Sequence, residues 1–127
     1  MKSFMPVAFT IAALAVSSPA ADAAQATSRG EISVAQVTEL LDRAPANDDA
    51  RQVLTIYLTG VGETAGFLLD AADASAVAGC RASLSLSPAA VRRALAGSSG
   101  GQRAVETAAT PLILRDMLRR AGCRLAN

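Results

Sequence analysis

The chain has 127 residues, 51% of them hydrophobic but only 3% aromatic, with a formal net charge of +1 and neither histidine nor tryptophan. That length suits one small domain and is too short for a doubly wound sheet. Without histidine there is no imidazole to activate a Cys or Ser nucleophile, and two cysteines alone are too few for a structural zinc site.

The first 23 residues, MKSFMPVAFTIAALAVSSPAADA, read as a secretory signal peptide. Lys2 precedes an apolar run from Phe4 to Val16, and Ala21-Asp22-Ala23 supplies the small-residue cleavage pattern. Cleavage is expected after Ala23, with Ala20 and Ala24 as alternatives. An uncleaved anchor is the competing reading, but the run is short of the ~20 residues a span needs. No membrane span is expected after cleavage.

The remaining aromatics are then Tyr57 and Phe67, so the core must come from Leu, Val, Ile and Ala. A core that thin benefits from a covalent staple. Cys80 and Cys123 are an even pair in a chain sent to an oxidising compartment, which points to one disulfide. Charge is unevenly spread: residues 24–79 carry eight carboxylates against three arginines, and residues 80–127 carry eight arginines against Glu106 and Asp116. Either the two halves complement each other on folding, or each offers a patch to a charged partner. Nucleic acid is not expected, because there is no aromatic platform and the compartment is wrong.

In chain order, residues 24–31 are small and polar and predict a flexible N-terminus, with a helical domain over 32–127. SVAQVTELLDRA predicts a first helix with Ser33 as its cap, Gln36 closing a capping box and Val34, Val37, Leu40, Leu41 and Ala44 as its apolar stripe. Pro45 ends it. Asp48 or Asp49 can cap a second helix.

Within that second segment, GVGETA (Gly60–Ala65) follows the strand-like VLTIYLT and has the outline of a dinucleotide-binding turn. Such a fold needs an acid about 20 positions further on, where this chain has Gly79, Cys80, Arg81 and Ala82. Leu54, Tyr57, Val61, Ala65, Leu68 and Ala72 instead keep helical spacing straight through the glycines. The expectation is one long helix in which Gly60, Gly62 and Gly66 let another backbone approach closely, with a functional kink as the alternative, offsetting about 1 kcal/mol each in lost propensity.

SLSLS predicts a short extended piece rather than a sheet. Ser87 and Pro88 predict the cap and first turn of a third helix, PAAVRRALAG, stopped by Gly97. After GSSGG, QRAVETAATPLILRDMLRRAG predicts a last helical region with Leu112, Ile113, Met117, Leu118 and Ala121 buried and Gly122 as terminator. Thr110-Pro111 either kinks this region or starts a fresh helix. The fold class expected is all-α, a small bundle of four to five helices stapled by one disulfide.

Leu40-Leu41, then Tyr57-Leu58-Thr59-Gly60, then Cys80, a Ser/Leu spacer, a capped helix and a leucine-rich helix closing on Cys123 together resemble the Rap/Tai immunity family over about residues 34–123. The resemblance implies a periplasmic, non-catalytic protein that plugs the active-site cleft of a peptidoglycan amidase delivered by type VI secretion. Many of that family are dimers, so a homodimer is an open option. Members often carry a second cysteine pair around the first interhelical turn; the corresponding places here, near Arg43 and Gln52-Val53, hold none.

No catalytic residue, cofactor site or metal site is expected. Asp48 and Asp49 are adjacent, and adjacent helical residues do not face each other as an acid–base pair would. The alternatives are a periplasmic acid-stress chaperone resembling HdeA, although that family's first cysteine lies near helix one, and an envelope interaction module without a toxin partner. Arg92, Arg93 and Glu63 are exposed candidates for partner contact.

Overall fold

The computed structural model describes residues 25–73 and 79–124; the signal segment and its cleavage at Ala23 lie outside the described residues. Five α-helices occur among them: α1 (Val34–Arg43), α2 (Asp48–Asp73), α3 (Pro88–Leu95), α4 (Gly101–Glu106) and α5 (Ala109–Arg120), with one 3-10 turn at Ala96–Ser98. The all-α class holds, and Cys80 and Cys123 are disulfide-bonded.

α1 begins where its sequence says it should. The Gln36 N–H donates to Ser33 Oγ at 3.1 Å, and the Ser33 N–H donates to Gln36 Oε1 at 3.0 Å, a reciprocal capping box that satisfies two otherwise unpaired donors. The same Ser33 hydroxyl donates to the Gln25 carbonyl at 2.7 Å, so this fully buried serine uses both its donor and an acceptor. Val34, Val37 and Leu41 form the buried face.

Residues 25–31 differ from the loose tail expected of them. Gly30 N–H donates to the Thr27 carbonyl and Thr27 N–H to the Glu31 carbonyl, closing a turn around the positive-φ Gly30. Thr27 is buried, and Ser28 N–H reaches Glu106 at 3.2 Å. The turn's own hydrogen bonds, the Ser33 hydroxyl on the Gln25 carbonyl and the Glu106 carboxylate of α4 tie down backbone that the sequence leaves unpartnered.

α2 is capped by Asn47 rather than by Asp48 or Asp49: the Ala50 N–H donates to Asn47 Oδ1 at 2.8 Å. The two aspartates occupy the first turn, where the positive helix end favours them. The helix continues unbroken for 26 residues, about 39 Å, against 10 for α1 and 12 for α5. Leu54, Val61 and Ala65 are buried and Tyr57 half-buried, as the stripe predicts, but Leu68 is exposed where α2 outruns its shorter neighbours.

The close-approach reading of the glycines is corrected. A Cβ built at Gly60, Gly62 or Gly66 meets nothing within 4 Å, so no described backbone packs against them.

α3 is capped by Ser87 Oγ, which accepts from the Ala90 N–H at 3.2 Å, with Pro88 in the first turn. The last helical region splits before Thr110. Thr107 and Ala108 are extended, the Val34 N–H donates to the Thr107 carbonyl, and the Ala109 N–H donates to the Ile32 carbonyl, both at 2.9 Å. α5 thus starts afresh at Ala109, and Pro111 falls in its first turn, where a missing N–H removes no helical bond. The helix closes in a Schellman motif: Gly122 at φ 66° donates to the Arg119 carbonyl and Cys123 to the Leu118 carbonyl, each at 3.0 Å. That motif delivers Cys123 to Cys80.

The core is aliphatic, built from Val34, Val37 and Leu41 of α1, Leu54 and Val61 of α2, Val91 and Leu95 of α3, and Ile113 of α5. α1 packs on α2, α3 and α4, and α5 packs on α2 and α3. The two charge halves meet in an ion pair between α1 and α3, Asp42 to Arg92 at 2.8 Å. The pairs Arg43–Glu39, Arg51–Asp48 and Asp116 with Arg119 and Arg120 form inside one half.

Candidate functional site

The connector between α2 and α3 makes the site. Residues 83–87 adopt no regular secondary structure, and the alternation in SLSLS puts Leu84 and Leu86 on one side of the chain. They form one wall of an open groove of about 740 Å³. Leu54, Thr55, Leu58, Thr59 and Gly62 of α2 form the facing wall; Leu41, Ala44 and Pro45 close one end, and Met117 contributes from α5.

Three attachments hold the connector in place. The Arg81 and Ala82 N–H groups both donate to the Ala121 carbonyl, at 2.9 and 3.0 Å. The Cys80–Cys123 bond lies beside them. Arg120 supplies the third: it donates from Nη2 to the Ser85 carbonyl at 2.9 Å and from Nη1 to Ser85 Oγ at 3.3 Å, while its Nε donates to Asp116 Oδ2 at 2.8 Å. Arg119 donates to the other Asp116 oxygen at 2.7 Å. The hydrogen bond from Arg120, with help from Arg119, holds the Asp116 carboxyl below its ordinary pKa, against the opposing effect of burial.

The opposite wall is anchored through Tyr57. Its hydroxyl lies 2.9 Å from Thr110 Oγ1 at the start of α5. Burial pushes the phenol pKa up, and the hydrogen bond to Thr110 only partly opposes this. Thr55 donates to the Arg51 carbonyl at 2.8 Å, satisfying its hydroxyl within the helix. Gly62, with no side chain and no neighbour, leaves its stretch of wall bare. A groove so lined, mostly apolar with a few hydroxyls and Arg51 at its edge, suits an apolar segment or side-chain cluster of a ligand.

The residues singled out in the sequence are placed as follows. Cys80 and Cys123 brace the groove from outside it. Gly62 lines it, whereas Gly60 and Gly66 do not. Arg92 is engaged with Asp42, and Arg93 and Glu63 are exposed. Asp116, Arg120 and Ser85 were not foreseen; SLSLS was the available signal, since alternation beside a cap implies a chain with one apolar side. Among the described residues no group of three or more His, Cys, Asp or Glu could hold a metal ion, and no helix is long and apolar enough to cross a membrane.

Comparison with protein-family models, curated proteins and solved structures finds no match for this chain.

Proposed function

We propose that this chain is a secreted binding protein of the immunity type, which works in the periplasm by seating on a peptidoglycan amidase effector of type VI secretion and covering its active-site cleft. The observation that carries the reading is the open, braced apolar groove between α2 and residues 84–86. A preformed groove grips a projecting edge of a partner without first ordering itself, which preserves affinity. The disulfide suits an oxidising compartment, and the resemblance to the Rap/Tai family supplies the class of partner.

Affinity purification of the chain from envelope extracts should bring down an amidase in stoichiometric amount. Periplasmic expression of that amidase should lyse cells, and co-expression of the chain should rescue them. Gly62→Met, which fills the groove from an open helix position, should abolish rescue without lowering the melting temperature. Lysis that proceeds equally with and without the chain would refute the reading.

One observation favours a second reading, an acid-activated chaperone resembling HdeA. The groove wall at Ser85 is held by Arg120, and Arg120 is held by Asp116. Protonating Asp116 removes the charge that orients Arg120 and lets that wall move away, exposing Leu84 and Leu86. Suppression of client aggregation at about pH 2–3, below the ordinary carboxylate range, and its absence at neutral pH, would select this reading over the first.

A further inference from the structure

α2 has a second face. Val53, Ile56 and Phe67 are 50%, 64% and 71% exposed. With Gly60 between them and Asp49, Glu63 and Asp70 interleaved, their positions step by 4, 3, 4, 3, 4 and 3 residues along the chain. The seven positions line one face of the helix as a seam over about six turns, three apolar and three acidic side chains with Gly60 among them, and all seven are exposed. At 100° per residue, the seam is turned roughly 140° from the part of α2 that lines the groove.

Two features of this face bear on what could cover it. Asp49, Glu63 and Asp70 make no ion pair among the described residues, while Arg51, the one cation of α2, is engaged by Asp48. Gly60 sits at the seam's centre with open space where its Cβ would be, so its lost helix propensity is repaid by no contact within the described chain. A bare backbone at the middle of this mixed face leaves room for another backbone to approach closely.

Charge decides what kind of helix fits. An antiparallel pair of α2 helices crossing at Gly60 would set Asp49 opposite Asp70 at both ends and Glu63 opposite Ile56. A parallel pair would set each carboxylate against its own copy. Both registers oppose like charges or bury an unpaired one, which is destabilising. Among the described residues the large exposed apolar side chains lie at Ile32 and on α2 itself, so the described part of the arginine-rich C-terminal half offers no large exposed apolar counterpart. We propose that the outward seam of α2 docks a cationic amphipathic helix from a different protein, with apolar residues meeting Val53, Ile56 and Phe67 and Lys or Arg meeting Asp49, Glu63 and Asp70.

The test uses the chain secreted to, and purified from, the periplasm. The probe is a fluorescein-labelled peptide of about 21 residues, three heptads with Leu at one core position and Lys at the other; the control has Glu in place of each Lys. Fluorescence anisotropy should show the Lys peptide binding at least about tenfold more tightly than the Glu peptide, as complementary charge requires. The double variants Ile56→Ser/Phe67→Ser and Glu63→Lys/Asp70→Lys alter exposed side chains only. Each should keep the parent melting temperature and lose about tenfold or more in affinity, whereas Gly62→Met in the groove should bind as the parent does. Equal binding of the two peptides, no binding of the Lys peptide, or undiminished binding by the seam variants overturns the proposal. So does a dimer in analytical ultracentrifugation that Ile56→Ser/Phe67→Ser abolishes, because the seam is then taken by a second copy.

Discussion

The hydroxyls of Tyr57 and Thr110 lie 2.9 Å apart, joining the middle of α2 to the first turn of α5 across 53 residues of sequence. Burial favours the neutral phenol, so its folded-state pKa stands above the ordinary 10.0. The sign follows: this contribution is complete below the unfolded value and is lost as pH rises through the folded one. Tyr57 is the one tyrosine and there is no tryptophan, so tyrosinate absorbance reports this group alone. Its midpoint should lie above that of the urea-unfolded chain. Tyr57→Phe should lower stability by about 0.5–1.5 kcal/mol and remove the alkaline dependence from this source.

At the acid end the relevant group is Asp116. Arg120 and Arg119 hold its carboxyl below the ordinary 3.8, so its contribution is present above the unfolded pKa and is lost as pH falls through the depressed folded value. Asp116→Asn should therefore be less stable than the parent at neutral pH, and the difference should shrink as pH drops toward 2. Urea midpoints measured across that range give the comparison; a constant difference would assign the loss to packing instead.

The Cys80–Cys123 bond spans 43 positions. Chain-entropy arithmetic for a loop of that size gives roughly 4 kcal/mol, a large share of the ~5–15 kcal/mol typical of a folded domain. Cys80→Ser/Cys123→Ser should lower the denaturant midpoint accordingly. Reducing agent should do the same to the parent and nothing to the variant.

Gly62 and Gly66 lie inside α2 with open space around the missing Cβ. Gly62→Ala and Gly66→Ala should each raise stability by about 0.4–1 kcal/mol, through better helix propensity and a less flexible unfolded chain. Thermal melts decide this, and a drop in melting temperature would restore the close-packing explanation. Gly122→Ala is the contrast: its φ of 66° and the Arg81 side chain 3.3 Å from the added Cβ make that change destabilising.

Helix limits set by neighbouring residues were readable in the sequence. Ser33 with Gln36, Ser87 with Pro88, and Gly122 are all signals within one turn of the boundary they mark. Asn47 was harder, because three consecutive residues, Asn47, Asp48 and Asp49, are all competent caps and only backbone geometry chooses among them. The break before α5 depends on Ile32 and Val34, more than 70 residues away, so no local pattern could place it at Thr107 and Ala108. The groove belongs to the same kind: alternation identifies Leu84 and Leu86 as one-sided, but what they face is decided by Arg120 and Asp116 on a distant helix. The glycines misled because a helix-interior glycine implies some compensation, and nothing local says whether it lies within the fold or outside it.

The sulfur bridge ties the stretch from Cys80 to Cys123 into a covalent ring that encloses α3, α4 and α5. One jaw of the groove, Leu84 to Leu86, belongs to that ring. The other jaw, α2, lies outside it, and among the described residues packing and the Tyr57 hydroxyl hold it against the ring. Opening force applied by a ligand therefore falls on α2. The same helix carries the outward seam, so one rod presents a different face to each of the two surfaces.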